Sequence, residues 1–528
     1  MLSQPDPPQE QPGNGSVSVP ATGLPIRTAR FQTIADRVCP ILLLILCFAL
    51  GGPFFRSGID TRDEGILAYG ADRVMQGQLP HRDFISLQPP LSFYTAALMY
   101  KLYGTSLLSL RILGFGIYLA LPLLIYGIAR TMLGPALSLV AGLPACVLGI
   151  PFFHFIPFAP CQGVAAAAAA VFLYLRAAPK GSGLGGGLAG MMTAAAMLCR
   201  HDQGLYVALA IVAYTLALRF AGQLIAKDLL KRVFAGWIVG MVVSFLPWAI
   251  YWAIEGAIPA MFQQLVLYFA TTYVKTHTLP FPRFDPGLPL LKNVIVALFY
   301  LPPVAGLLAV LWLWKQYRRR WYGLREANMT LVLAWTLLFY CQVRGRTDIH
   351  HLLLTQVPFF ILCACLWAAA LESGVAKVPF SLAATAALVS FLILIGPFFL
   401  QNPGSDREAP IPRTGVRFKG AEDLANLIKQ VQQDAPPDRS ILCLPYQPML
   451  YFLCQRRNPT RWDYLWAGDQ TAADYQTLVN EAKHDPPAVV LIADEAWLAH
   501  FAPIILDYVH EDYRNTAKIL GVSFYLPK

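Results

Sequence analysis

The chain has 528 residues, of which 56% are hydrophobic and only 14% are charged. One soluble core cannot bury that much apolar surface, so the composition excludes a soluble globular protein and predicts a polytopic membrane protein. The formal net charge is +10, yet residues 401–528 hold 13 Lys and Arg against 16 Asp and Glu. The basic excess therefore lies in the apolar part, where it reflects membrane topology and does not indicate a nucleic-acid partner.

The N-terminal segment is predicted to be disordered. Residues 1–26 are rich in Pro, Gly, Gln and Ser and show no apolar periodicity, so they lack the side chains that would offset the entropy of ordering. We place the end of this cytoplasmic tail at residue 37. The first apolar run begins at Ile41, far from Met1 and without a small-residue cleavage site, which favours an uncleaved signal anchor over a removable signal peptide.

The apolar region, residues 38–400, is predicted to form about eleven transmembrane α-helices. Segment 89–103 is also apolar, but it is short and contains Lys101, which favours a helix in the membrane interface. The eleven spans are expected near residues 38–55, 106–130, 136–157, 161–177, 184–199, 203–222, 234–254, 291–314, 329–343, 350–371 and 378–400.

This order of spans predicts the topology. With the N-terminus inside, the Lys and Arg residues of alternate loops fall on the cytoplasmic side, as the positive-inside rule requires. The first loop, residues 56–105, and everything after residue 400 then lie on the extracytoplasmic side. The polar turns near residues 200 and 346 and the loop 255–289 fall on that side too. The polar residues that are candidates for a functional site are therefore all expected on the extracytoplasmic side.

A domain boundary is expected at about residue 401, where Pro, Gly, Ser and charged residues end the apolar tract. Residues 401–528 have the composition of a small soluble α/β domain, which the topology makes extracytoplasmic. Buried strands are predicted at 440–444 and 488–492 and helices at 421–433 and 472–484.

An acidic cluster follows the first span: Asp60, Arg62, Asp63 and Glu64. Charge facing lipid is costly, so acids beside a span usually line an aqueous cavity and carry chemistry. Residues 61–77 can form a surface helix that opens on these acids. Thr61 and Glu64 also fit a helix capping box, which would explain Glu64 but none of the other three. The catalytic and the capping interpretations both stay open.

Two further polar turns carry basic residues on the predicted extracytoplasmic side. Forked guanidinium groups opposite the acidic cluster favour phosphate binding, although an ordinary hydrophilic turn is the alternative. Neighbouring His side chains diverge by about 100° on a helix, so no metal ligands are predicted. The residues expected to bind substrate in these turns are Arg200, His201, Asp202, Arg344, Arg346 and His350.

The first loop carries a family resemblance. The string DEGILAYGADRVMQGQLPHRDFISLQPPLSFYTAALMYKLYG, residues 63–104, precedes the segment Ser106 to Arg111. An acidic pair, a Tyr-containing helix ending at Met-x-x-Gly, an aromatic and basic segment with Asp, a Pro-Pro-Leu, a Gly and an Arg follow in that order. This order resembles the first extracytoplasmic loop of C-type (GT-C) glycosyltransferases, in their protein-mannosyltransferase-like and aminoarabinose-transferase-like branches.

The resemblance implies site roles. Asp63 would be the general base or the carboxylate that orients the acceptor, with Glu64 supporting it. Asp60, Arg62, Tyr69, Asp83 and Gln88 would contact substrate. In aminoarabinose-transferase relatives a Lys often precedes the Pro-Pro and contacts the carrier phosphate, but Gln88 stands here, so the phosphate contact must come from elsewhere or through a weaker amide.

The expected function is a membrane glycosyltransferase that moves a sugar from a polyprenyl-phosphate donor to an extracytoplasmic lipid, glycan or protein, with inversion. A divalent cation, Mg²⁺ or Mn²⁺, stays open as a cofactor. The expected location is the bilayer of a bacterial inner or plasma membrane. The alternatives are a transporter or flippase of a lipid-linked substrate and a catalytically inactive carrier-binding subunit.

Overall fold

The structure is a computed structural model that describes residues 26–147, 154–220, 225–287, 289–372, 407–408 and 410–528. Its N-terminal part is helical, because long apolar runs rich in Leu and Ala satisfy their backbone groups within each helix. These helices are α1 (Ile26–Gly51), α2 (Asp63–Met75), α3 (Leu91–Tyr103), α4 (Leu107–Ala129), α5 (Pro135–Gly142), α6 (Ala159–Ala177), α7 (Gly183–Cys199), α8 (His201–Phe220), α9 (Lys227–Ile254), α10 (Ile258–Phe262), α11 (Val274–Thr276), α12 (Leu290–Arg318), α13 (Leu324–Gly345), α14 (Ile349–Leu354) and α15 (Gln356–Glu372).

Each predicted span up to residue 371 overlaps at least one described helix. In the described part of the chain, five helical segments are long and apolar enough to cross a membrane, and three apolar helices are shorter. The expected count of eleven is therefore not confirmed. The eleventh span, 378–400, and the domain boundary at about 401 lie outside the described residues. The five long segments are Gln32–Gly51, Leu107–Ala129, Ala159–Lys180, Lys227–Ile254 and Lys292–Arg318.

Two boundaries differ from the expectation. Residues 26–37 are helical, although the sequence placed them in the disordered tail, because extending an existing helix fixes one residue per hydrogen bond and needs no new nucleus. The span expected at 136–157 is a short α5 followed by a 3₁₀ turn, Leu143–Cys146. Pro144 lies in that turn, where it removes a backbone donor that a longer α-helix would use.

Small residues bring the helices of the core together. Helix α7 packs against α6 on one side and α9 on the other. A Cβ at Gly190 would lie 2.0 Å from the Trp237 carbonyl oxygen, and one at Gly186 would lie 2.2 Å from that of Val233. Only glycine allows the two backbones to approach this closely, as in small-residue contacts between membrane helices.

The C-terminal part is the predicted small α/β domain. Strands β1 (Arg407–Glu408) and β2 (Arg417–Phe418) form a small ribbon beside the main sheet of β3 (Ile441–Leu444), β4 (Val489–Ile492), β5 (Tyr513–Ile519) and β6 (Val522–Pro527). The main sheet has the order β3-β4-β6-β5, with β3 and β4 parallel. The helices are α16 (Ala421–Asp434), α17 (Pro448–Cys454), α18 (Ala472–His484), α19 (Glu495–Phe501) and α20 (Pro503–Asp512).

The predicted strands and helices of this domain agree with β3, β4, α16 and α18 to within about a residue. The β5–β6 hairpin was not predicted, because β5 is an exposed edge strand of mostly polar residues without the apolar alternation that marks a half-buried strand. Helix α17, also not predicted, packs against α2. This contact places the C-terminal domain directly on the acidic segment of the first loop.

Candidate functional site

The acidic segment is shaped by Asp60. Its Oδ1 accepts hydrogen bonds from the backbone N–H groups of Arg62 at 2.9 Å and Asp63 at 3.2 Å. The expected capping box with Thr61 is not formed, since Arg62 is the N-cap residue of α2 and no side chain caps it. Asp60 caps the start of the helix instead of Thr61. It lies one residue before Thr61, and its carboxylate can accept from two free N–H groups at once.

Glu64 is buried in an ion pair. Its two carboxylate oxygens accept hydrogen bonds from Arg111 Nε at 2.6 Å and Nη2 at 2.8 Å, and both side chains are fully buried. Arg111 also donates to the carbonyl oxygens of Gly58 and His154. This bidentate pair fixes the start of α2 to α4. The placement favours a structural role for Glu64, whose catalytic role stays a prediction.

Asp63 faces the opposite way. Its side chain is exposed, and its Oδ1 accepts a 2.7 Å hydrogen bond from the hydroxyl of Tyr446 in the C-terminal domain. The Arg62 guanidinium lies 6.0 Å from the centre of the Tyr446 ring. Asp63 thus remains available to a ligand, and its position lies between the membrane part and the C-terminal domain.

Asp60 and Asp63 form an acidic pair. Burial and the negative charge of Asp63 raise the pKa of Asp60 to about 6. Two close carboxylates disfavour joint ionisation, and Asp60 therefore gains a proton at about pH 6.

Arg346, the residue after α13, lies at the centre of a polar network. Its Nε donates to Asp348 Oδ2 at 2.9 Å, and its Nη1 donates to His277 Nδ1 at 3.1 Å. His277 Nε2 in turn donates to Asp469 Oδ1 at 2.8 Å, and both of these side chains are more than nine-tenths buried. The network ties the loop 255–289 to the C-terminal domain.

Arg200 lies beside the same network. Burial raises the pKa of Tyr273, and the positive charges of Arg200 and Arg346 act against that rise. Tyr273 therefore lies near both guanidinium groups. Arg200 is held by Asp202, which accepts from its Nε at 3.0 Å and also from Gln342. His201 Nδ1 is buried and has no hydrogen-bond partner among the described residues.

His350 lies within range of the charges of both the acidic segment and Arg346. Its side chain is 58% exposed. Partial burial lowers the pKa of His350, and the negative charges of Asp348 and Asp63 act against that fall. Asp348 also accepts from His351 Nδ1 at 2.8 Å. Burial works to raise the pKa of Asp348, but the hydrogen bond and charge of His351 and the charge of Arg346 hold it well below its usual range.

The structure thus brings some predicted site residues together and leaves others apart. The charges of Asp63 and Arg346 both act on His350, and the charges of Arg200 and Arg346 both act on Tyr273. Two other predicted substrate contacts have structural partners: Tyr69 is 3% exposed and its hydroxyl accepts from the backbone of Asn458, and Asp83 pairs with Arg82. Gln88 Oε1 is buried without a partner among the described residues, and Arg344 is exposed at the end of α13.

The sequence did not assign a site role to Tyr446 or Asp469. Asp469 is 192 residues from its partner His277, and Tyr446 is 383 residues from Asp63. No spacing rule joins positions that far apart. The aromatic and basic character of the loop 255–289 was visible in the sequence, but it is equally typical of residues at a membrane interface.

The described residues bring together no group of three or more His, Cys, Asp or Glu side chains that could hold a metal ion. The exposed carboxylate of Asp63 and the cations around Tyr273 are instead suited to hold a substrate with a hydroxyl at one end and a phosphate at the other.

Comparison with known proteins gives the fold. Residues 87–252 match the family described as dolichyl-phosphate-mannose-protein mannosyltransferase. No curated protein sequence matches the chain. Among solved structures, ArnT from Cupriavidus metallidurans bound to undecaprenyl phosphate is similar with a TM-score of 0.55 and 14% identity, over 93% of this chain and 97% of that one.

The oligosaccharyltransferase of Archaeoglobus fulgidus, tethered to an acceptor peptide, is similar with a TM-score of 0.56 and 11% identity, over 95% of this chain and 75% of that one. Its complex with an inhibitory peptide and dolichol phosphate gives a TM-score of 0.56 and 11% identity, over 96% and 75% of the two chains. The predicted resemblance is confirmed: this chain has the fold of C-type membrane glycosyltransferases.

Proposed function

We propose that this protein is an integral membrane glycosyltransferase that moves a sugar from a polyprenyl-phosphate donor to an acceptor, with inversion at the anomeric carbon. One observation carries the proposal: the exposed carboxylate of Asp63 and the guanidinium of Arg346 both act electrostatically on His350, in a chain with this fold. A displacement with a phosphate leaving group needs an exposed base and fixed cations around one site.

The chemistry is a single displacement. The acceptor hydroxyl gives its proton to Asp63, its oxygen forms the new bond to the anomeric carbon, and the bond from that carbon to the phosphate oxygen breaks. The electron pair leaves with the polyprenyl phosphate. Attack from the face opposite the leaving group inverts the configuration, so Asp63 and the phosphate-binding cations must lie on opposite sides of the sugar.

Arg200 and Arg346 are the proposed phosphate ligands. Each guanidinium carries five N–H donors in a fixed fork. Arg200 bonds Asp202 through Nε and Nη2, which leaves Nη1 for a ligand. Because Asp202 and Asp348 hold these two side chains in place, less conformational freedom is lost when the phosphate binds.

The proposal also covers the donor and the acceptor. The donor sugar is a hexose or a pentose, and the acceptor is a lipid, a glycan or a protein. The predicted positive-inside topology supports an extracytoplasmic active site and C-terminal domain in a bacterial inner or plasma membrane. No step is assigned to Mg²⁺ or Mn²⁺, because the described carboxylates and imidazoles do not form a ligand set. Turnover with and without EDTA tests that choice.

The test uses the purified full-length protein in nanodiscs with a panel of undecaprenyl-phosphate hexoses and pentoses. We expect transfer or donor hydrolysis by the wild type and a loss of at least about a hundredfold in Asp63→Asn, because the amide cannot accept the proton. Asp423→Asn, on the exposed face of α16, is the matched control.

Two outcomes would contradict the proposal. A correctly inserted Asp63→Asn variant that works at the wild-type rate would remove Asp63 from the chemistry. A wild-type protein that binds undecaprenyl phosphate but cleaves none of the donors would instead favour the carrier-binding subunit or the flippase.

A further inference from the structure

The proposed catalytic carboxylate touches a side chain of the C-terminal domain. Tyr446 donates its hydroxyl hydrogen to Asp63 Oδ1 over 2.7 Å. It lies just after β3 and just before α17, so it belongs to the sheet domain and not to the membrane part. Among the described residues, the side chain that holds Asp63 therefore comes from a domain that lies 383 residues further along the chain.

The backbone that carries Tyr446 is fastened to the backbone that carries Asp63. The Met449 N–H, at the start of α17, donates to the Thr61 carbonyl oxygen at 3.3 Å. At Gly65, two residues after Asp63, an added Cβ would lie 2.4 Å from the Met449 nitrogen. The glycine thus permits the close contact, and α17 and the first turn of α2 hold a fixed distance.

The Tyr446 ring is fixed as well. It packs edge-on against Tyr464, with ring centres 4.8 Å apart, and against Trp466 at 5.9 Å. The Arg62 guanidinium covers another side. Burial and the charge of Asp63 raise the pKa of Tyr446 well above its usual value. The hydroxyl therefore keeps its proton at any physiological pH and acts only as a donor toward the carboxylate.

We propose that Tyr446 is a positioning residue for Asp63, which makes the C-terminal domain part of the active site. This inference rests on the proposed function. The Tyr446 hydroxyl occupies Oδ1 and fixes the plane of the carboxylate, so Oδ2 is the oxygen presented to the acceptor hydroxyl. The same hydrogen bond stabilises the ionised carboxylate, which is the form that accepts a proton.

The consequence is measurable in two ways. Without the hydroxyl the carboxylate can rotate, and kcat should fall by about tenfold while the KM for donor stays unchanged, since the loss is felt in the transition state. The ionised carboxylate also loses a stabilising donor. The acid limb of the pH–rate profile should therefore move to higher pH, a change that a purely structural role would not produce.

The test compares Tyr446→Phe with the wild type, in the full-length protein in nanodiscs with the undecaprenyl-phosphate sugar that the wild type uses best. Tyr464→Phe is the matched control, because it removes a neighbouring hydroxyl and keeps the ring packing. Binding of undecaprenyl phosphate alone, without sugar, reports whether Tyr446→Phe is folded.

The inference is supported if only Tyr446→Phe loses kcat, with unchanged carrier binding and an acid limb at higher pH. It is overturned if Tyr446→Phe keeps the wild-type rate, if its rate falls without movement of the acid limb, or if it loses carrier binding as well. A wild-type protein without any transfer or hydrolysis would instead refute the proposed function, so the two failures are distinguishable.

Discussion

Asp63 and Glu64 are neighbours in the sequence with opposite surroundings. The Glu64 carboxylate is fully buried against Arg111, whereas the Asp63 side chain is exposed and bonded to Tyr446. The first turn of a helix separates successive side chains by about 100°, so one can point into the protein while the next points away from it. The two acids therefore contribute to different properties, stability and turnover.

Glu64→Gln should destabilise the protein, because it leaves the Arg111 charge buried without its counter-charge. Removal of one partner of a buried ion pair costs about 3–5 kcal/mol. We expect the midpoint of thermal unfolding to fall by several degrees in Glu64→Gln and to stay unchanged in Asp63→Asn, measured by intrinsic fluorescence in detergent. A Glu64→Gln variant of wild-type stability but without turnover would mean that Glu64 takes part in the chemistry.

Asp60→Asn should remove an ionisation near pH 6 from the pH–rate profile. Burial and the negative charge of Asp63 raise the pKa of Asp60 to about 6, so the wild type carries a second negative charge beside Asp63 only above that pH. The Asn oxygen can still accept the two N–H bonds at the start of α2. The pH–rate profile checks this, and a step near pH 6 that persists in the variant would show that another group produces it.

At the scale of the elements, the end of α13 separates two arginines. Arg344 lies in its last turn and is exposed, whereas Arg346 follows the helix and bonds Asp348 and His277. Arg346 has left the helix with an extended backbone, so its side chain does not follow the helical rotation of Arg344. Among these two arginines, Arg346 is the one that bonds His277 and acts on Tyr273 together with Arg200.

Arg346→Ala should weaken binding of undecaprenyl phosphate by about tenfold or more, because a charge-assisted bond to phosphate contributes roughly 1.5–3 kcal/mol. Arg344→Ala, two residues away, is the control and should bind as the wild type does. Native mass spectrometry in nanodiscs gives both affinities. Equal weakening by the two variants would argue for the wider phosphate site expected from the sequence.

At the scale of the whole molecule, the site lies between the membrane part and the C-terminal domain. The bond from Tyr446 to Asp63 and the bond from His277 to Asp469 cross this boundary in two places. The domain must therefore lie on the same side of the membrane as the first loop and the loop 255–289. The side of the membrane on which this domain lies also decides where the sugar is delivered.

A cysteine substituted for exposed Lys429 on α16 should react with a membrane-impermeant thiol reagent in cells whose outer membrane has been permeabilised and whose inner membrane is intact. The ten native Cys are replaced first, and the Cys-free protein is the control. Reaction only after lysis would place the C-terminal domain in the cytoplasm and would overturn the predicted topology.

The sequence by itself determined the class of protein and most of its elements. Apolar runs long enough for the bilayer predicted the helices, and short apolar runs between amphipathic segments predicted β3 and β4, because these patterns follow from local hydrogen bonding and burial. The order of motifs from Asp63 to Arg111 also indicated the fold. Length and hydropathy alone could not separate a full span from the short α5.

Only the tertiary structure decided what each acidic and basic residue does. Glu64 and Asp63 look alike in the sequence, and their roles separate only when α4 supplies Arg111 and the C-terminal domain supplies Tyr446. In the same way, Arg344 and Arg346 look alike in the sequence, and the contacts of Arg346 with His277 and Tyr273 distinguish them. The physical reason is that charge environment depends on neighbours in space, and these neighbours lie tens to hundreds of residues away along the chain.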